Sequence, residues 1–455
     1  MPHIIIVGAG LAGLVVAHLL VNSMPVRVTI LERAAQPGGR IRTDLVDGCV
    51  VEAGPDSFLS TRPHALSLCA DLGIADEIEG TIPRRTRGFI VRNGRFHALP
   101  EGLTGLIPAR LGPLLRTRAL SPAGRARFAA ELFIPPDTTR EDESVASFAR
   151  RRFGVEAWQW LIEPLLGGIH GGDGEQLSLR ATFPALADAE RRAGSVLMGL
   201  RGGQRTEPRV QTPFVAPRGG MGRLIDALRA HIPFDIRCDA HVTSVTRGAD
   251  GWISNVNGTA NECDAIVLAV PACQAAELLP DAAAPLAAVL SDIPFVSATV
   301  VNMAFDEVDP GTSLDGYGYL NPRASGCAVA ACTWTTSKFA HRAPAGTVLV
   351  RCFLRGEQWA NPAETSDSDL AEACLAELRG LLRLRAEPRW FRTARWPAAM
   401  PQYTLGHLAR MRSIDAALGT QPGLFLTGNS YRGVGIPDTI AHARFVAGRV
   451  LARFT

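Results

Sequence analysis

Lysine is almost missing from this chain of 455 residues: Lys338 is the only one among 47 lysines and arginines. That bias towards arginine reflects coding preference, so no single arginine counts for much as a functional signal. An excess of one charge is missing too. A net charge of +3 at this length gives none of the strongly basic surface that nucleic acid demands of a partner. None of the nine cysteines stands in a C-x-x-C pair, and their number is odd. This excludes the usual zinc spacing and a disulfide framework, leaves no metal site to expect, and fits reduced thiols in a cytosol. No uninterrupted apolar run reaches about 18 residues, so no segment is expected to span a bilayer. The first apolar run leads into a glycine turn and is read as a strand, not as a signal peptide.

What is present is an apolar fraction of 47%, enough to fill the cores of about three domains. The most informative stretch comes first. Ile4-Ile5-Ile6-Val7 is a β-branched run suited to the middle of a parallel sheet, covered on both faces. It enters Gly8-Ala9-Gly10-Leu11-Ala12-Gly13, a G-x-G-x-x-G at a strand-to-helix junction. Here Gly8 allows the tight turn, Gly10 lets backbone N–H groups approach a pyrophosphate, and Gly13 lets helix and strand pack closely. The helix start then turns its positive dipole end to the phosphates. A second strand, 26–31, ends in Glu32-Arg33, with the acid placed for the ribose hydroxyls, where it would repel the 2′-phosphate of NADP. Pro37-Gly38-Gly39-Arg40 brings the chain back and offers a guanidinium to the same pyrophosphate.

Further along, Glu52-Ala53-Gly54-Pro55-Asp56-Ser57 reads as a strand end and tight turn that could bring backbone close to a planar ligand. Residues 64–78 form an amphipathic helix, and Asn93-Gly94 joins a hairpin of 88–92 and 95–99. The segment 103–120 mixes leucine, proline and arginine. It is either a set of short helices over a core or a membrane-surface segment whose arginines snorkel. A helix is expected to open near Ser144, and the four glycines among residues 167–172 imply a loop. Residues 195–215 read as a linker. A buried strand at 264–270 returns the chain to its first sheet; strands at 298–305, 327–333 and 347–354, a helix at 368–382, and a last strand and helix at 423–429 and 438–454 complete the reading.

Taken together, G-x-G-x-x-G, Glu32-Arg33, Gly38-Gly39-Arg40, the returning strand and the C-terminal strand-glycine-helix resemble the flavin amine oxidase superfamily. Within it the chain is similar to protoporphyrinogen oxidase and its near relative coproporphyrinogen oxidase. The segments that carry this are Ala53 through Phe58, Pro164 through Asp173, Gly219-Gly220-Met221, the run from Trp396 through Pro401-Gln402-Tyr403 to His407, and Gly428-Asn429 with Gly433-Val434-Gly435-Ile436. The resemblance implies an α/β fold in which a Rossmann-like FAD-binding domain is assembled from 1–62, 205–285 and 400–455. A mixed-sheet substrate domain would take 63–89 and 286–399, and a helical, membrane-facing insertion 90–204.

It also implies non-covalent FAD and a six-electron oxidation of protoporphyrinogen IX to protoporphyrin IX, with O2 as acceptor and H2O2 released. Coproporphyrinogen III is the alternative substrate. Gly8, Ala9, Gly10, Leu11, Ala12, Gly13, Glu32, Arg33, Gly39 and Arg40 would bind the ADP half, and the backbone of Val242 would meet adenine. Gly54, Pro55, Asp56, Ser57, Trp396, Gly428, Val434, Gly435 and Ile436 would border the flavin. Leu320 and Phe353 would sandwich the macrocycle with the Gly168 backbone nearby. Where plant and animal enzymes place an arginine for a propionate this chain has Gly88, which leaves Arg87 as the candidate one residue earlier. No side chain is expected to be catalytic, because the cofactor carries the chemistry. Expected partners are the porphyrinogen, O2 and a downstream ferrochelatase, for a monomer or homodimer in the cytoplasm or peripheral on its membrane. Two rivals stay open: another flavin oxidase or desaturase, and a flavin-binding scaffold that turns nothing over. Lys338, read as lying in a polar turn, counts against an amine substrate, since amine oxidases often carry a lysine beside the flavin.

Overall fold

A computed structural model describes every residue except 84, 86, 109, 110, 138, 202–211, 234, 307–313, 362 and 363. Its first layer is a five-stranded parallel sheet in the order Ile236–Arg237, Arg27–Leu31, His3–Val7, Ala265–Leu268 and Leu424–Leu426. Strand alternation explains why Ile4-Ile5-Ile6-Val7 is apolar throughout. Ile4 and Ile6 join a core with the helices Leu11–Ser23 and Ile436–Phe454, while Ile5 and Val7 join another with Trp252, Leu286 and Met411. The strand read at 264–270 does pair with His3–Val7, so residues far apart in sequence meet in the middle of one sheet. An antiparallel meander, Val242–Arg247, Trp252–Val256 and Thr259–Cys263, packs beside it.

The second layer is a seven-stranded mixed sheet in the order Trp390–Pro401, Phe295–Asp306, Thr347–Leu354, Val329–Trp334, Gly318–Leu320, Gly88–Arg92 and Arg95–Ala98. The Asn93-Gly94 hairpin forms with both turn residues at positive φ, +54° and +67°, as a type I′ turn requires. The two sheet faces have different jobs. Val91, Tyr319, Cys332, Cys352 and Val301 pack against the helix Asp367–Leu382, which opens with a Ser366/Asp369 capping box. On the other face the register lines up Ile90, Leu320, Ala331, Phe353, Val300 and Ala394 in one row across six strands. One end of this row packs on the helical region and the other on Ala53 and Trp396.

The helical region departs from expectation in three places. Ser144 does cap the helix Val145–Phe153, accepting from the Ser147 N–H at 3.1 Å. Of the glycines read as a loop, however, Gly167 and Gly168 lie in the helix Glu163–His170, while Gly171, left-handed at φ +66°, ends it and Gly172 follows. A preceding π-turn, Trp158–Ile162, lets the chain enter that helix without a break. The segment 103–120 is a small hairpin, Leu103–Thr104 with Ile107–Pro108, followed by the single helix Leu111–Arg116. The expected linker 195–215 begins as the helix Val196–Arg201, and its central part lies outside the described residues. Among the described residues no helix is long and apolar enough to cross a membrane.

Candidate active site

At the dinucleotide end each glycine has its own reason. A Cβ on Gly8 would lie 2.9 Å from the Ala269 carbonyl oxygen, and one on Gly13 would lie 2.1 Å from that of Gly8, so both are glycine because strand and helix touch there. Gly10 is different. A Cβ on it would meet nothing within 4 Å, and it opens the helix Leu11–Ser23 without a side-chain cap. The space and the free N–H groups together fit a pyrophosphate. The second glycine turn closes on the first: Gly38 N donates to Ala9 O at 2.8 Å, and a Cβ on Gly39 would sit 3.2 Å from Gly10 Cα. Glu32 spans this site, its carboxylate accepting from Ala9 N at 2.8 Å and Ala34 N at 2.9 Å. Its carbonyl accepts from Ala240 N at 2.9 Å, which brings Val242 alongside. Arg33 is exposed; Arg40 is half-buried, donates to Ala398 O at 3.2 Å, and is held by burial below the ordinary arginine range.

Further in, the turn 54–57 is fixed from several sides. A Cβ on Gly54 would lie 1.7 Å from Arg40 O, so chain crossing alone demands glycine. Trp396 Nε1 donates to Ala53 O at 2.8 Å. Lys338 does not lie in a polar turn. It ends the short buried helix Thr335–Lys338, and its Nζ donates to both Asp56 oxygens at 3.0 and 2.9 Å and to Ser57 Oγ at 3.1 Å. Burial would raise the Asp56 carboxyl, but Lys338 and then Arg351 outweigh it and hold Asp56 well below the usual carboxylate range. Arg351 also donates to Gly54 O.

The C-terminal loop completes the wall. The Tyr403 hydroxyl donates to Asn429 O at 2.6 Å and accepts from Gly433 N at 2.7 Å, tying Gly428-Asn429 to the start of the last helix. That helix, Ile436–Phe454, opens at Gly435 with no side-chain cap, and Val434, Gly435 and Ile436 are half-buried. Thr427 Oγ1 and Tyr431 Oη are buried beside this loop without a partner among the described residues. Uncapped helix starts at two ends and orphaned polar atoms between them fit an extended dinucleotide.

On the substrate side, Leu320 and Phe353 are half-buried in the sheet row, and a Cβ on Gly168 would lie 3.3 Å from Leu320 Cδ2. Gly168 and Leu320 are therefore neighbours, and Phe353 packs with Trp396 at Ala53. Arg87 is exposed, one residue before its strand; its carbonyl accepts from Tyr317 N at 2.7 Å, tying this corner to the strand that carries Leu320.

Three groups escaped the sequence reading. Glu52, 2% exposed, pairs with Arg342 at 2.9 Å and accepts from Thr43 Oγ1 and Met221 N, each at 2.7 Å, joining Gly219-Gly220-Met221 to the first unit. Gln402 donates to His170 O at 2.9 Å and lies where a Cβ on Gly172 would be, so two of the segments that carry the resemblance touch. Lys338 and Arg351 form the third. The rarity of lysine singled out Lys338, while Glu52 and Gln402 stood inside named segments without a role of their own.

The chain matches the family described as Flavin containing amine oxidoreductase over residues 11–451. It is 30% identical to a coproporphyrinogen III oxidase of Bacillus subtilis, covering 96% of this chain and 95% of that protein. A chloroplastic protoporphyrinogen oxidase of Nicotiana tabacum is 28% identical over 98% of this chain and 85% of its own. The crystal structure of a protein assigned provisionally as a protoporphyrinogen oxidase from Exiguobacterium sp. superposes with a TM-score of 0.87 at 28% identity, covering 99% and 98% of the two chains. With the dinucleotide cradle in place, the chain belongs to the flavin containing amine oxidoreductases and, within them, to the proto- and coproporphyrinogen oxidases, and is an FAD-dependent oxidase.

Proposed function

We propose that the protein oxidises coproporphyrinogen III to coproporphyrin III, reversing the order in which the sequence ranks the two porphyrinogens. Three dioxygen molecules take up six electrons and six protons as three hydrogen peroxides, in three two-electron steps. The observation that carries a tetrapyrrole macrocycle is the half-buried row Leu320, Ala331 and Phe353, with Gly168 at one end and Trp396 at the other. The choice of coproporphyrinogen over protoporphyrinogen is supported by the 30% relative that bears that activity in its name.

Bound FAD supplies the hydride acceptor. The chain supplies the rest. Leu320 and Phe353 exclude water from the faces of the substrate and orient it. The uncapped N–H groups at Gly435 and Ile436 favour the negative charge that a ring gains on reduction. His170 is given no role as a base: burial pushes it down to about 4, and its Nδ1 is enclosed without a partner among the described residues. Arg87 is assigned to a propionate from its place beside the Leu320 strand. Arg87→Ala is expected to raise KM with kcat little changed, as loss of a group that binds ground and transition states alike does.

Aerobic turnover of both porphyrinogens side by side, followed by porphyrin fluorescence, tests the reading. The expected result is a larger kcat/KM for coproporphyrinogen III; equal or reversed values return protoporphyrinogen IX to first place. A yellow protein whose flavin does not bleach with either substrate under anaerobic conditions acts on another substrate instead.

A further inference from the structure

Behind the turn 54–57 the fold buries five charged side chains in one group: Glu52, Asp56, Lys338, Arg342 and Arg351. None has more than 14% of its side chain exposed. Two carboxylates face three cations, so one positive charge is left over. The surplus sits at the turn itself, where Lys338 and Arg351 face Asp56 alone; Glu52 and Glu79, the latter with a mostly exposed Arg218 at 3.9 Å, lie on the far side around Arg342. Donors are in surplus as well: Arg342 Nε and Nη2 and Arg351 Nε are buried with no acceptor among the described residues. An unbalanced buried cation is costly, and an apolar side chain would pin a turn at least as well. Arg351 shows where the group is aimed. Its guanidinium donates to Gly54 O, lies 3.9 Å from Asp56 and sits 4.5 Å over the Phe353 ring.

We propose that this cluster sets the reduction potential of the bound flavin: its surplus positive charge, held behind the turn that borders the ring, stabilises the negative charge gained on two-electron reduction. The proposal rests on the reading that residues 54–57 border the ring, and not on which porphyrinogen is oxidised. Asp56, Lys338 and Arg351 are positioning residues here, acting through the electric field and the turn they hold.

A charge ladder in the FAD-loaded full-length protein tests it. Asp56→Asn takes the group from one surplus charge to two, Lys338→Met takes it to none, and the double variant restores one. Two readouts avoid turnover: the midpoint potential against a reference dye, and the dissociation constant of sulfite, an anion that adds reversibly to oxidised flavin and bleaches it. Lys338→Met is expected to weaken sulfite binding about tenfold and Asp56→Asn to tighten it about tenfold, with the double variant within about twofold of the parent. Tenfold corresponds to about 30 mV for a two-electron couple. If Lys338→Met does not retain FAD, Arg351→Met replaces it, since it removes a cation and leaves Lys338 on Asp56. Shifts of the same sign in both single variants mean the cluster only pins the turn, and overturn the proposal. No shift in any variant places the turn away from the ring and overturns it too, while leaving porphyrin formation as a separate question. The expected ladder in a protein that makes no porphyrin removes the proposed substrate and keeps this inference.

Discussion

Tyr403 shows how one side chain serves a cofactor it need not touch. Burial pushes its hydroxyl up from the ordinary tyrosine range, so it stays protonated and donates to Asn429 O while accepting from Gly433 N. Tyr403→Phe would leave two backbone groups of one loop unpaired, each costing about 1–3 kcal/mol. Because that loop leads into the helix at Gly435, the loss is expected mainly as FAD affinity, weaker by about tenfold or more on the scale of 1.4 kcal/mol per decade. Titration of apoprotein with FAD, read by flavin fluorescence, checks this, and an unchanged affinity would assign Tyr403 to packing alone. Residues of this kind were only partly legible. Gly8 and Gly13 can be read from spacing because backbone contact admits no other residue. Lys338 could not, since its polar neighbours Thr335, Thr336 and Ser337 look like a surface turn until Asp56, 282 positions away, is brought to it.

At the scale of elements, period and capping carried most of the reading. Ser144, Asn93-Gly94 and the buried strands sit where local chemistry requires them, because each depends on neighbours in sequence. The helix Glu163–His170 was illegible for the converse reason. Gly167 and Gly168 are poor helix formers that read as a break, yet packing by Leu166 and the Gln402 clamp on His170 O override propensity. The exception has a use, because a glycine at 168 lets the helix backbone come close against Leu320. Gly168→Val tests it with the two effects opposed. Valine is the better helix former, which offsets part of the cost of crowding Leu320, so thermal stability is expected to fall only slightly. Its γ-carbons would enter the slot beyond a Cβ already 3.3 Å from Leu320 Cδ2, so kcat/KM for the porphyrinogen is expected to fall by about tenfold or more with FAD affinity unchanged. Steady-state kinetics beside an FAD titration separates the two. Equal activity would show that the macrocycle does not pass Gly168.

For the whole molecule, the two layers are joined by buried polar contacts that respond to acid. Glu52 links the first unit to Arg342 of the second sheet region, and burial raises its carboxyl against the pull of that arginine. The clearer acid response belongs to three histidines. His170 joins the helical region to the strand end through Gln402, His407 stacks on Tyr403 with ring centres 4.0 Å apart, and His442 packs on Tyr431. Burial pushes each down to about 4 from the ordinary histidine value of 6.5. A histidine depressed on folding takes up its proton more readily in the unfolded chain, so the stability it allows is fully present above pH 6.5 and is lost as pH falls towards 4. The slope is about 1.4 kcal/mol per pH unit for each, so at pH 5 the three together account for several kcal/mol. Such a loss is comparable to the whole stability of many folded domains. The melting temperature is therefore expected to drop steeply between pH 6.5 and 5, well above the range where most carboxylates titrate. Of the three, His170 offers the cleanest check, because its Nδ1 has no bond to lose among the described residues. His170→Phe keeps the edge contact with Phe183, whose ring centre lies 5.4 Å away, and removes the titrating group. Differential scanning fluorimetry of parent and variant across that window should show a shallower acid slope in the variant. Parallel slopes would mean that His170 gains its proton in the folded state at the same pH as in the unfolded one, and that the Gln402 junction opens to water before the fold is lost.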